Sequence, residues 1–218
     1  MTRPEIEALR KQLKKIAAPV AVDADPLKAP PPGSLVEWNS CEGSGAATVS
    51  LSVVRDVLAS RPGVWAVVDA SGEFVPAAAW GWGIPLERTV VIRPRSDEDV
   101  AWAVEHCLRS PAVAVTWCQV GRHADRWLRR WKRAAEIGGG LGVLFRSEQS
   151  STGTGVDQRW CSRGGQQDLA GRTVEVGLDY CRGFHEGTFH VQVCDAEGSL
   201  TLVPQLAHTA TVERAAGA

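Results

Sequence analysis

No stretch of this chain approaches the roughly 18 consecutive apolar residues of a membrane-spanning helix, so no membrane span is expected. The first residues, Thr2-Arg3-Pro4-Glu5-Ile6-Glu7, contain no apolar signal region, so secretion is not expected and a cytoplasmic location is. Charge of one sign is not in surplus either. The net charge is −1, which leaves no global attraction to nucleic acid, and any such contact must come from a local patch. The six cysteines are irregularly spaced and include no C-x-x-C pair. That argues for reduced thiols and against a disulfide framework or a zinc ribbon. No Ser/His/Asp or Cys/His spacing supports a nucleophile site, and no internal repeat is visible.

What is present is an ordinary globular composition. The 218 residues are 44% hydrophobic and 22% charged, enough for one sizeable domain or one domain with an appended lobe. Nine tryptophans read as core or interface anchors, because the ring carries a large apolar area.

Residues 1–17 hold an amphipathic helix in which Ile6, Leu9, Leu13 and Ile16 recur at spacings of three and four. It is too short to stand alone in water. Lys11, Lys14 and Lys15 leave only a narrow apolar stripe, suited to a seam with another subunit or partner. Residues 18–33, with Ala29-Pro30-Pro31-Pro32-Gly33, read as a stiff, extended linker. From 34 to 147, short apolar strands alternate with helical segments, the pattern of a mostly parallel sheet covered by helices on both faces. Ser96 before Asp97-Glu98-Asp99 caps one of those helices. Residues 148–158 have the composition of a flexible loop. In 159–206, period-two runs at Val174–Tyr180, Phe189–Val193 and Leu200–Val203 predict antiparallel hairpins that extend the core. Residues 207–218 read as a frayed tail.

The stretch Leu35–Thr48 is laid out as strand, Gly/Ser turn and helix, the frame of the phosphate loop G-x-x-x-x-G-K-[ST]. With Gly45 on the second glycine, Ser40 takes the first. Ala46 takes the lysine and Ala47 the magnesium-binding hydroxyl. Alanine can neither meet the β- and γ-phosphates nor hold the metal. Gly43, Ser44 and Gly45, running into Thr48, can still present backbone N–H groups at a helix N-terminus. Without lysine and magnesium the charge of a triphosphate is poorly compensated. The favoured reading is therefore a structural turn, with ATP binding not expected and no cofactor implied.

The order of these pieces resembles the core of RecA-type recombinases and, more narrowly, the ImuA family, the RecA-like (also SulA-like) accessory proteins of bacterial SOS mutagenesis. The resemblance covers about 33–206. It rests on Gly33–Trp38, the altered loop, Val67–Ala78, Ile92-Arg93-Pro94, Ala101–Ser110, Leu128–Arg130 through Ala134–Glu136, and Arg182–Gly187. Active recombinases carry a catalytic glutamate two residues after the aspartate that ends the second strand. Asp69 stands at that aspartate and Ser71 at the glutamate. Gln119 stands at or near a later magnesium-organising aspartate. The resemblance implies a truncated RecA-like core that has lost phosphate charge, metal ligand and water activation together.

Function then moves to surfaces. Arg122, Arg126, Arg129, Arg130, Lys132 and Arg133, relieved only by Asp125, form the clearest basic cluster. It reads equally as a face for DNA phosphates or an acidic partner and as a solvated helix face paired with local acids. Cys181, His185, His190 and Cys194 have C-x3-H-x4-H-x3-C spacing, which is not that of a zinc finger, so thiol and imidazole packing is preferred and no metal is expected. The resemblance implies a non-catalytic adaptor in translesion synthesis, with a Y-family-like polymerase homologue (ImuB) and an error-prone DNA polymerase as partners, possible direct DNA contact, and possible homo-oligomers through the N-terminal helix. Two alternatives stay open. One is a nucleotide-binding or ATPase switch in which Arg93 or Arg95 replaces the lysine. The other is a SulA-like inhibitor of cell division.

Overall fold

The computed structural model describes residues 25–40, 43–121, 125–146, 155–168, 171–181, 187–194 and 197–203. The N-terminal segment with Ile6, Leu9, Leu13 and Ile16, as well as Arg122 and the tail, lies outside the described residues.

Five strands form the parallel half of the sheet: β1 (Leu35–Ser40), β2 (Val64–Val68), β3 (Thr89–Ile92), β4 (Val113–Gln119) and β5 (Leu141–Arg146). Helices α1 (Ala46–Ser60), α2 (Pro76–Gly81), α3 (Asp97–Arg109) and α4 (Asp125–Gly138) connect them in turn. Then β6 (Gln158–Asp168) adds parallel to β1, and β7 (Gly171–Cys181), β8 (Gly187–Cys194) and β9 (Ser199–Val203) follow antiparallel. The order across the nine-stranded sheet is β3-β2-β4-β5-β1-β6-β7-β8-β9. This is the expected mixed α/β architecture with C-terminal hairpins. No helix among the described residues is long and apolar enough to cross a membrane.

Two hydrophobic cores follow from strand alternation. Val36, Trp38, Trp65, Val67, Val115 and Val143 face α1, together with Val174, Val176 and Val191 from the hairpins. Leu35, Val68, Cys118 and Leu144 face α3 and α4. Parallel strands need helices on both faces, and the continuous apolar runs of β2 and β5 are buried on both sides as that requires. Ser96 caps α3 as the sequence predicts, its hydroxyl accepting from Asp99 N at 3.1 Å. Five of the nine tryptophans are buried (Trp38, Trp65, Trp82, Trp131 and Trp160), and Trp80 and Trp102 are exposed.

The structure corrects two expectations. Residues 25–33 are no spacer in solvent: Pro26 is buried, Leu27 packs on the α1-side core, and Gly33 N donates to Gly140 O at 3.1 Å. The end of the supposed flexible loop, Gly155–Gln158, is built into the core. Val156 is buried there, Asp157 N donates to Leu35 O at 2.8 Å, and Leu35 N donates to Asp157 Oδ2 at 2.8 Å. Strand β6 has no apolar alternation that would mark it in the sequence. Besides buried Trp160, what holds it is charge. Glu37, fully buried in the middle of β1, accepts from Arg146 Nε of β5 at 2.8 Å and from Arg159 Nε of β6 at 2.6 Å. Both arginines are buried too.

Removing one member of a buried ion cluster leaves the other charges desolvated without compensation. Glu37→Gln is therefore expected to lower the unfolding free energy by about 3–5 kcal/mol, read as a lower urea midpoint at unchanged m-value. A loss under about 1 kcal/mol would show that other acceptors satisfy the two guanidiniums without it.

Candidate functional site

The carboxyl ends of β1, β2, β4 and β5 open on a cleft of about 460 Å³. Crevices at that end of a parallel sheet are where α/β folds bind ligands. The loop before α1 forms one wall, Asp69, Ser71 and Glu73 after β2 another, and Gln119, Arg146 and Arg172 the rest. Phe74, Trp117 and Phe145, all half-buried, line its apolar side. The Trp117 and Phe145 rings lie 4.6 Å apart.

The loop residues Gly43, Ser44, Gly45, Ala46, Ala47 and Thr48 all border this cleft. The loop is clamped from the far side by the β6–β7 hairpin. Ser162 Oγ donates to Ser44 Oγ at 2.8 Å, both buried. Gly45, the N-cap of α1, has φ of 88°, and a Cβ built on it would lie 2.5 Å from Val174 Cγ2. Only glycine fits both the left-handed backbone and the approach of β7. Arg172 Nη2 donates to Thr48 Oγ1 at 2.7 Å. Ala46, at the lysine position, is buried in the core under α1, whereas Ala47 is exposed. These residues do not fit a magnesium triphosphate as a phosphate loop would hold it. No ammonium reaches the cleft from the loop, position 47 has no hydroxyl, and the next hydroxyl, Thr48, is taken by Arg172.

The acid side is richer than the sequence suggested. Ser71 and Gln119 both line the cleft. Glu73 lines it as well. Buried Asp69 explains how. Its Oδ1 accepts from Gly72 N at 2.9 Å and Glu73 N at 3.1 Å, folding the chain back so that Glu73 returns to the cleft. Among the described residues Asp69 Oδ2 has no hydrogen-bond donor, and it lies 3.6 Å from Arg93 Nε. Asp69-Ala70-Ser71-Gly72 is a turn signal, and that signal could have located Glu73. Nearby, Cys118 is no nucleophile: burial, then Cys107 and Asp69, push its thiol far above the usual range.

The basic helix α4 divides. Arg126 pairs with Glu98 at 3.1 Å, Arg133 with Glu136 at 3.3 Å, and Arg130 with Glu105. Arg129 is exposed, and no ion pair joins it to the described residues. Lys132 does not belong to this surface. Only 16% exposed, its Nζ lies 2.6 Å from Asp157 Oδ2 and donates to Gly33 O at 3.0 Å. Trp131 and Ala134 fill the core beneath. The Cys181/His190/Cys194 grouping comes apart as well. β7 and β8 run antiparallel with Arg172 opposite Val193 and Leu178 opposite Gly187. Cys194 and Cys181 thus sit at opposite ends of the hairpin, about 30 Å apart at 3.3 Å per residue. Among the described residues no group of three or more His, Cys, Asp or Glu can hold a metal, and His185 lies outside them.

The clamp makes a prediction. Gly45→Ala forces a β-carbon into Val174 and strains the left-handed backbone, a cost on the order of 1–3 kcal/mol. Because Val174 is itself a buried core residue, its truncation alone costs stability, so the contact is read from a double-mutant cycle: Gly45→Ala should lower the melting temperature less in the Val174→Ala background than in wild type. An equal loss in both backgrounds would show that Val174 does not press on the loop.

No family model matches the chain. It is 33% identical over 85 residues to the RecA protein of Chlorobium limicola, a match covering 39% of this chain and 24% of that protein. It is 35% identical over 83 residues to RecA of Prochlorococcus marinus, covering 38% and 22% respectively. The chain thus spans about a quarter of the length of the curated relatives it matches. This partial similarity supports a RecA-like relationship, and a RecA-like core fits the fold just described.

Proposed function

We propose that the chain is a non-catalytic RecA-like adaptor in DNA-damage-induced mutagenesis, of the ImuA kind, which acts by binding and not by hydrolysis. Its partners in this reading are a Y-family-like polymerase homologue (ImuB) and an error-prone DNA polymerase, with DNA contacted through the arginines of α4 and subunit or partner contact through residues 1–17. The observation that carries the reading is the loop before α1: Ala46 and Ala47 replace the lysine and the hydroxyl, and Thr48 is bonded to Arg172. A loop built to shuttle phosphate needs charge and metal at the moment of transfer, and this one is used to seat a hairpin. The partial similarity to RecA supports the DNA-related setting.

Two measurements test the reading. ATP binding at equilibrium, with and without magnesium, should show no magnesium-dependent gain in affinity, and purified protein should not turn over ATP above buffer. Micromolar, magnesium-dependent affinity overturns the reading in favour of a nucleotide-gated switch, for which Glu73 and Asp69 would be the acids at hand. Co-purification with the polymerase homologue should survive in the intact chain. It should fall on deleting residues 1–20 or on reversing charge at Arg129, Arg130 and Arg133. Capture unaffected by both changes would remove these surfaces from the partner interface.

A further inference from the structure

The outward face of α3 and α4 carries an arrangement that the adaptor reading does not use. Trp102 is 64% exposed, with the His106 ring 4.1 Å from its own. A large indole left in water on a helix face is characteristic of a contact surface. Positions 102, 106 and 109 follow at spacings of four and three, so Arg109 continues the same stripe. Helix α4 runs alongside in the same direction: Arg126 meets Glu98, Arg130 meets Glu105, and Trp131 Nε1 donates to Ala101 O at 3.1 Å. This places Arg130 and Arg133 beside the C-terminal half of α3.

Charge is distributed unevenly over the face. Glu105 is nearly buried, clasped between Arg109 and Arg130, whose side chains are 52% and 67% exposed. Its carboxylate is shielded while the two guanidiniums remain in water. Arg133 and Arg129 extend the row, and Glu136 is the acid that pairs with Arg133. At the other end, the first turn of α3 carries Asp97, Glu98 and Asp99, which repel phosphate. The exposed Arg133–Glu136 pair holds its arginine by no more than about 1 kcal/mol, so exchange for a phosphate contact is open to it; Arg109 and Arg130 can keep Glu105 and still offer phosphate the N–H groups of guanidiniums that remain largely in water.

We propose that this face binds single-stranded nucleic acid, with a base stacked on Trp102 and the backbone running over Arg109, Arg129, Arg130 and Arg133, away from the acidic start of α3. The inference rests on the reading of α4 as a DNA contact and goes beyond it in strand type and in assigning Trp102. An unpaired base offers its π-face to an indole; a base inside a duplex does not. Stacking of this kind is tolerant of sequence, so little base preference is expected.

The test uses the intact chain, a short fluorescein-labelled mixed-sequence single strand and its duplex, both followed by anisotropy over a salt series. The single strand should bind tighter than the duplex. Trp102→Ala should weaken single-strand binding by about 5- to 150-fold. Trp102→Phe, which keeps a stacking ring, should stay within about threefold of wild type. Because Trp102 lies on the surface, a thermal melt of each variant should match wild type. Arg130→Gln with Arg133→Gln should weaken binding and lower the log–log salt slope by about 2. If the strand binds but Trp102→Ala behaves as wild type, or if the duplex binds as well as the single strand, the proposal falls while the DNA reading of α4 stands. If neither form binds, both fall.

Discussion

The buried carboxylate of Glu37 is the contact on which the arrangement of the site depends. β1 lies between the two halves of the sheet, and its register sets Glu37 opposite Leu144 on one side and Arg159 on the other. Arg146, two residues beyond Leu144, reaches the same carboxylate. A strand such as Gln-Arg-Trp-Cys-Ser-Arg-Gly-Gly-Gln-Gln-Asp has too few apolar residues to be drawn into a sheet by burial alone. The ion cluster supplies a specific reason for β6 to pair with β1 and no other edge. Buried charges are poor sources of net stability but effective at discriminating between registers, since every wrong pairing strands a charge in the interior. A one-residue slip of β6 would turn Arg159 to the opposite face and leave Glu37 short of one partner.

Once β6 is placed, the rest of the cleft follows. β7 pairs back on β6, and that hairpin delivers Ser162, Val174 and Arg172 to the loop before α1. A phosphate loop ordinarily turns its amides toward an empty cradle, with a lysine arching back over it. Here the positive group comes from a strand over 120 residues further on, and its contact is the hydroxyl of Thr48. An arginine held across the mouth of a helix N-terminus concentrates positive potential in the cleft, while Asp69 and Glu73 on the opposite wall concentrate negative potential. The cleft is thus polar at both ends and aromatic along one side. That is a surface suited to binding, and it lacks the single-sign field with which a triphosphate is held.

Much of this was legible in the sequence, and the parts that were not share a cause. β2, β4 and β5 are apolar runs, and β7 and β8 alternate, so local pattern was enough to find them. β6 was invisible because its partner is a glutamate 122 residues away, and in a sequence an arginine in a polar strand looks like surface. Lys132 misled in the opposite sense: it sits in a row of exposed arginines, but the helical turn points it at Asp157. Glu73 is hidden because the glutamate of active recombinases stands two residues after the aspartate, whereas the turn closed on the Asp69 carboxylate returns the chain to the cleft two residues later. The cysteines and histidines of the hairpins, for which no metal is expected, are hard to place for a related reason. Spacing along one strand says nothing about which end of the hairpin a residue occupies until the register is known.

The lysine that left the basic row joins the two faces mechanically. Lys132 bonds Asp157 and Gly33, and Asp157 in turn holds the amide of Leu35, the first residue of β1. Helix α4 is therefore fixed to the strand that leads, through Glu37, to the loop and the cleft. A face held this way is preorganised, so a ligand that meets the arginines and Trp102 pays little to order the backbone beneath them. The exposed side chains still have rotamer freedom to lose, and the local ion pairs of Arg126, Arg130 and Arg133 already restrict part of it. Pairing with local acids and readiness for an incoming anion are thus compatible. The exposed glutamates hold Arg126 and Arg133 extended at small energetic cost, where a stronger acceptor such as a phosphate can take them over, while Arg130 stays on buried Glu105 with much of its guanidinium still in water.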